Sequence, residues 1–154
     1  MEPLEIRLVD EWLRNLKRWG TYNRKWWPKI EDAKRIASLC NIEQPMFFIE
    51  AGTGNGITAS YVAAYGIKVL TFDPADRPKV YLDETFPLKN IAKTITYVNY
   101  PIEKGLSYWI SDKKIVWSID GLPGEKSIAS YLKTIRPLTK PGDLILLNGA
   151  VERI

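Results

Sequence analysis

A glycine-rich turn between two apolar runs constrains the fold of this 154-residue chain more than any other feature. The first run covers residues 46–50 and ends in an acid, Glu50. Three glycines then stand at alternate positions: Gly52, Gly54 and Gly56. A helical pattern follows over residues 57–65, and a second apolar run over 68–73 also ends in an acid, Asp73. This order predicts a strand, a tight turn, a helix and a second, parallel strand.

Further strand and helix patterns alternate along the chain. Strand-like apolar runs recur at residues 95–99, 115–119 and 144–147. Helical spacing of apolar residues recurs at 4–19, 28–39, 88–93, 102–110 and 127–138. The three prolines within 74–87 predict mostly loop there. Such alternation predicts a parallel sheet with right-handed crossovers.

We therefore expect a single α/β domain over residues 1–154, with a Rossmann-like three-layer sandwich as its core. The core, residues 45–154, would hold five parallel strands in the order 3-2-1-4-5, and residues 1–44 would supply two helices before it.

Composition narrows the class of protein. A hydrophobic content of 45% is enough for a globular core, and no apolar run approaches the roughly 20 residues of a membrane span. The acidic, amphipathic start of the chain is unlike a secretory signal, so we expect a cytoplasmic protein in which the single cysteine, Cys40, is a core residue. The absence of histidine excludes Ser-His-Asp triads and histidine-based zinc sites. The net charge of +4 is compatible with an anionic partner but does not establish one.

The glycine turn and Asp73 together point to an adenosine-containing cofactor. Glycines at 52, 54 and 56 let the backbone turn sharply and approach a ligand, and the helix that begins after them gives the turn a partly positive rim. A carboxylate after the second strand, such as Asp73, can accept hydrogen bonds from both hydroxyls of a ribose. The dinucleotide pattern G-x-G-x-x-G does not fit, because Ile57 stands where it requires the third glycine.

The pattern E-x-G-x-G-x-G at 50–56 instead resembles motif I of the class I S-adenosylmethionine-dependent methyltransferases. The segments VWSIDG at 116–121 and RPLTKPGDLILLNG at 136–149 resemble the fourth strand, and the fifth strand with its approach, of that family. The small O-methyltransferase-like group is the most similar, since its fourth strand also ends in I-D-G and its fifth follows K-P-G.

This resemblance implies S-adenosylmethionine as cofactor and methyl transfer to an acceptor that the sequence does not identify, with an oxygen acceptor considered first. Glu50 and the loop would hold the methionine end of the cofactor, the loop residues being Gly52, Thr53, Gly54, Asn55 and Gly56. Asp73 would bind the ribose, and Asn99 or Tyr100 would lie near the adenine. Asp120 would face the acceptor as an acid or base, with Tyr22 or Asn148 as further candidates. Methyl transfer is an in-line displacement governed mainly by alignment, so it does not require a histidine.

Two departures from the family pattern matter. Metal-dependent members carry an Asp-Asn pair after the fifth strand, where this chain has Asn148-Gly149, so we expect no catalytic metal. The family's C-terminal antiparallel hairpin is also missing, which would leave the fifth strand as an apolar edge. Because such an edge invites pairing, we expect a homodimer formed through it.

A cluster of aromatic and basic residues before the first strand leaves alternatives open. Its members are Trp19, Tyr22, Arg24, Lys25, Trp26, Trp27 and Lys29. They can form a structural staple, which we favour, or bind nucleic acid, or act as a lid in which Tyr22 or Trp26 lines the acceptor pocket. The alternative function is a non-catalytic relative that binds S-adenosylmethionine or a nucleic acid through this segment.

Overall fold

A computed structural model describes residues 2–17, 22, 30–102, 112–119 and 125–147 of the chain. The helices are α1 (Leu4–Asn15), α2 (Ile30–Glu43), α3 (Ile57–Ala64), α4 (Lys89–Ala92) and α5 (Glu125–Ile135). The strands are β1 (Phe47–Ala51), β2 (Lys68–Phe72), β3 (Ile95–Val98), β4 (Ile115–Ile119) and β5 (Leu144–Leu147). Two short 3-10 turns, Val80–Leu82 and Arg136–Leu138, follow β2 and α5. None of the described helices combines the length and the hydropathy that crossing a membrane requires.

The five strands form one parallel sheet in the order β3-β2-β1-β4-β5, which confirms the predicted topology. β1 lies at the centre, and its Glu50 is in register with Thr71 of β2 and Ser118 of β4. From β1 the sheet extends through β2 and β3 on one side and through β4 and β5 on the other. The crevice above β1 and β4 is therefore the topological switch point where ligands bind in such sheets.

Alternate residues of each strand enter two separate cores. Phe48 of β1 packs into the larger core with residues of α1, α2 and α3, whereas Ile49 packs into the second core with Ile135 of α5. This two-sided burial explains why the central strands read as continuous apolar runs rather than as alternating patterns. Cys40 lies in the larger core with no exposed surface, as predicted.

α3 is buried along its whole length because α1, α2, α4 and the sheet surround it. Its small residues allow this close packing, and the Ser60 hydroxyl donates to the carbonyl of Gly56 at 2.7 Å. The helix therefore fixes the end of the glycine loop against the body of the domain.

The helix boundaries differ most from the sequence predictions at the ends of α1 and α2. α1 ends at Asn15 rather than near residue 19, because Leu16 is already extended. α2 continues past residue 39, where the helical pattern of the sequence ends, and stops at Glu43. The chain leaves this helix through Gln44, whose φ of 47° supplies the left-handed conformation that ends many helices. The helix predicted over residues 102–110 lies almost entirely outside the described residues.

Candidate cofactor site

The glycine loop turns over the carboxyl ends of β1 and β2. The amides of Gly52 and Thr53 both donate to the carbonyl of Phe72, at 2.7 and 3.3 Å. Gly52, Gly54 and Gly56 all have positive φ, at 99°, 52° and 80°. At Gly56 the requirement is also steric, since an added Cβ would lie 2.5 Å from Cε1 of Tyr81. The loop is thus built for glycine both by backbone conformation and by close packing.

Asp73 lies directly beside this loop. Its Oδ2 accepts a hydrogen bond from the amide of Gly54 at 2.9 Å, and its Oδ1 accepts one from the amide of Ala75 at 2.8 Å. The side chain is buried, but each carboxylate oxygen keeps a further acceptor position because an ionised carboxylate has about four of them. The structure therefore brings together the two parts of the sequence pattern that carried the cofactor prediction.

Glu50 lies beneath the loop rather than at its rim. Its carboxylate is 1% exposed and accepts a hydrogen bond from the Thr71 hydroxyl at 2.7 Å. The Thr71 hydroxyl in turn lies 2.6 Å from that of Thr53. A buried chain of polar groups therefore connects Glu50 to the glycine loop, and Glu50 supports the loop from below in this arrangement.

Two further buried hydroxyls belong to this region, Tyr81 Oη and Ser118 Oγ, and neither has a hydrogen-bond partner among the described residues. Ser118 is the register partner of Glu50 on β4. Burial and, secondarily, the Glu50 carboxylate raise the pKa of Tyr81, so its phenol stays protonated.

The glycine loop forms one wall of the site, and the segment between β2 and α4 forms a second wall. Asn55 donates from its Nδ2 to the carbonyl of Pro78 at 2.8 Å, and its own carbonyl accepts from the amide of Val80 at 2.8 Å. Lys79 donates from its Nζ to the carbonyl of Gly54 at 3.0 Å. Residues of the predicted loop 74–87 therefore bind the glycine loop directly, and sequence reasoning gave no sign of this.

The carboxyl end of β3 supports the same wall. The Tyr97 hydroxyl shares its one proton between the carbonyls of Asp73 and Ala75, at 3.1 and 3.3 Å. The Asn99 amide, with its nitrogen toward the loop, donates to the carbonyls of Asp73 and Pro74, at 3.0 and 3.1 Å. Tyr100 is 61% exposed beside them. Asn99 and Tyr100 thus lie at the Asp73 end of the site, where the resemblance implies the adenine.

The structure describes only part of the remaining set of predicted site residues. Asp120, Asn148 and the tryptophan pair Trp26 and Trp27 are outside the described residues. Tyr22 is described and is buried in the larger core, where its hydroxyl donates to Asp83 Oδ2 at 2.8 Å. This position agrees with the structural interpretation of the aromatic cluster for the one member that the structure describes.

Comparison with known proteins places this arrangement in a recognised fold. No protein-family model matches the chain, and no curated protein matches it. A methyltransferase from Podospora anserina, solved with bound SAH, superposes with a TM-score of 0.65 at 16% identity over 96% of this chain and 62% of its own. A putative O-methyltransferase from Klebsiella pneumoniae gives a TM-score of 0.65 at 20% identity over 91% of this chain and 64% of its own.

An O-methyltransferase of tomaymycin synthesis from Streptomyces achromogenes, solved with SAM, gives a TM-score of 0.58 at 15% identity over 99% of this chain and 70% of its own. The chain therefore has the fold of the class I S-adenosylmethionine-dependent methyltransferases. It spans slightly less than two thirds of the length of the Podospora and Klebsiella proteins.

Proposed function

We propose that this chain binds S-adenosylmethionine and transfers its methyl group to an acceptor, with an oxygen nucleophile as the first class to test. The observation that carries the proposal is the hydrogen bond between the Gly54 amide and the Asp73 carboxylate. It joins the glycine loop to Asp73, the acid proposed to bind the ribose, so that the two form one rim of the site. The fold is shared with proteins solved with SAM or SAH.

Each part of the rim suits one part of the cofactor. The open acceptor positions of Asp73 suit the ribose hydroxyls, and the amides of the glycine loop suit the carboxylate of the methionine end. Asn99 and Tyr100 would lie near the adenine. Glu50 would act by holding the loop through Thr71 and Thr53. S-adenosylmethionine would supply an electrophilic methyl group on a positively charged sulfur.

The remaining task of the chain is alignment. A rigid loop between β1 and α3 would fix the cofactor, so the acceptor needs only to approach along one direction. We keep Asp120 as the proposed acid or base near the acceptor, because it directly follows β4 at the switch point of the sheet.

Calorimetry with S-adenosylhomocysteine tests the cofactor site. We expect the intact chain to bind it and Asp73→Ala to weaken binding at least about tenfold, since a charge-assisted hydrogen bond is lost. Asp76→Ala is the matched control, because Asp76 is an exposed acid in the same segment. Unchanged affinity in Asp73→Ala would remove the ribose role.

A radiolabelled transfer assay tests turnover. S-adenosylmethionine is offered with small-molecule, protein and nucleic-acid acceptors, and we expect label in one class. Cofactor binding without transfer to any of them would instead favour the non-catalytic alternative. A salt-sensitive interaction with DNA or RNA would favour its nucleic-acid form.

We also propose a homodimer formed through β5, in a cytoplasmic protein. Within the described residues β5 pairs only with β4, and its Ile145 is 39% exposed. An apolar strand edge of this kind favours pairing with a second copy. Light scattering after size exclusion should give a dimer mass at tens of micromolar, and Ile145→Lys should give a monomer; a monomer mass for the unaltered chain would reject the proposal.

A further inference from the structure

We infer that Lys79 is a positioning residue whose buried ammonium holds the glycine loop in its binding conformation. The inference concerns the same site as the proposed function, and its value for cofactor binding rests on that function. Lys79 is 5% exposed, which is rare for a lysine unless its charge is matched by nearby polar groups.

The ammonium is matched by backbone carbonyls. Nζ donates to the carbonyl of Gly54 at 3.0 Å and to that of Arg77 at 2.7 Å. It also lies 4.4 Å from the centroid of the Tyr97 ring, within the range of a favourable cation–π interaction. Tyr97 is itself fixed, because its hydroxyl proton is shared between the carbonyls of Asp73 and Ala75.

These contacts hold the loop at Gly54, the middle one of its three glycines. A Cβ placed on Gly54 would have no atom of the described residues within 4 Å, its two chain neighbours aside, so none of those residues packs a side chain there. Two hydrogen bonds hold Gly54 instead: its amide donates to Asp73, and its carbonyl accepts from Lys79. Loss of the ammonium would free the carbonyl side and loosen the rim on which a ligand would lie.

A purely structural role is the competing interpretation. A buried ammonium is costly to desolvate, and a neutral chain of the same length would fill the same space without that cost. Here the ammonium binds the carbonyl of Gly54, whose amide donates to Asp73. A displacement of the loop at this point would change the affinity for a ligand that lies on it.

The hydrogen bond from the Lys79 ammonium to the Gly54 carbonyl is called the clamp here. The charges around Lys79 determine how it responds to pH. Burial lowers the pKa of Lys79, and the neighbouring Arg77 also lowers it, while the carboxylates of Asp73, Asp76 and Glu50 oppose this in part. Tyr97 faces the ammonium from β3. Burial, with Asp73 and Asp76, raises the pKa of Tyr97 to about 12, so the phenol does not titrate in the same range. Lys79 should therefore lose its proton at a lower pH than a surface lysine does.

The experiment compares the intact chain with Lys79→Met and with Lys89→Met. Met is unbranched like Lys, is one atom shorter and carries no charge. Lys89 is the matched control, because its Nζ donates to the carbonyl of Asp83 in the same segment but does not contact the glycine loop. Circular dichroism first establishes that all three proteins are folded.

Hydrogen exchange of peptides covering residues 52–56, without ligand, tests the clamp itself. We expect exchange to rise about tenfold in Lys79→Met, as one charge-assisted hydrogen bond is lost, and to stay unchanged in Lys89→Met. Equal exchange in all three proteins would overturn the clamp. This result does not depend on any cofactor.

Calorimetry with S-adenosylhomocysteine at pH 7 and pH 9.5 tests the positioning role. We expect Lys79→Met to bind about tenfold more weakly at pH 7. The difference should be smaller at pH 9.5, because burial lowers the pKa of Lys79 and a larger share of the native side chain is neutral at the higher pH. Faster exchange with affinity within twofold, or a difference that does not change with pH, would overturn it. If the intact chain fails to bind the compound, the proposed function fails and the exchange result alone decides the clamp.

Discussion

At the scale of single residues, the site depends on a close approach between the glycine loop and the 3-10 turn after β2. Gly56 combines a φ of 80° with a Tyr81 ring so near that a Cβ would lie 2.5 Å from Cε1. Gly66 has almost the same φ, 79°, but a Cβ there would meet no atom within 4 Å in the part of the chain that the structure describes, its chain neighbours aside. The two positions therefore separate backbone strain from steric overlap within one chain.

We expect Gly56→Ala to lower the free energy of unfolding by about 2–4 kcal/mol, from left-handed backbone strain and overpacking together. Gly66→Ala should lower it by only about 1 kcal/mol, from backbone strain alone. Urea unfolding of both variants measures the difference. Equal losses would show that Tyr81 moves aside without cost.

At the scale of elements, the turn before β5 connects the two last strands through Asp143. Its Oδ1 accepts from the Ile115 amide at 2.9 Å, and its Oδ2 accepts from Trp117 Nε1 at 3.2 Å. Lys140 adds a backbone donor and an ion pair at 2.9 Å. Burial alone would raise the pKa of Asp143, but these hydrogen bonds outweigh it and hold the pKa below its usual range.

This pKa gives a definite pH dependence. The folded-state pKa lies below the unfolded one, so the stabilisation is complete above the unfolded pKa and is lost as pH falls through the folded pKa. We expect Asp143→Asn to be less stable than the intact chain at pH 7, with the difference shrinking below about pH 4. Urea unfolding between pH 3 and 7 measures it, with exposed Asp112→Asn as the control. A difference independent of pH would contradict the assignment.

The same scale shows what sequence could predict. The buried strands were evident because each is a continuous apolar run. Strand context and spacing predicted that the glycine loop and Asp73 serve one site, but not that the Gly54 amide donates directly to Asp73. The roles of Lys79 and Tyr97 were not predicted, because their contacts connect β3, the loop after β2 and the glycine loop. No local sequence pattern encodes contacts between such distant segments. The end of α2 was missed because Gln44, rather than a glycine or an asparagine, adopts the left-handed conformation.

At the scale of the whole molecule, the N-terminal part of the chain is anchored to the segment that forms the second wall of the site. Trp12 of α1 packs edge-on against Phe86, with ring centroids 5.2 Å apart, and donates from Nε1 to Thr85 at 3.0 Å. Tyr22 donates to the buried Asp83 in the same segment. Three residues earlier, Val80 binds the glycine loop through the carbonyl of Asn55. One continuous segment therefore connects α1 to the candidate site.

This connection distinguishes the two roles considered for Tyr22. If Tyr22 is structural, Tyr22→Phe removes one buried hydrogen bond and should lower the free energy of unfolding by about 1–2 kcal/mol. The rate of the proposed methyl transfer at saturating S-adenosylmethionine should then stay within twofold. If Tyr22 lies near the acceptor as an acid or base, the rate should instead fall by about 100-fold or more with little change in stability. Tyr65→Phe is the matched control, since Tyr65 is a half-buried tyrosine at the end of α3. We expect the first outcome, because the Tyr22 hydroxyl already donates to Asp83 inside the core and has no second proton to give to a substrate.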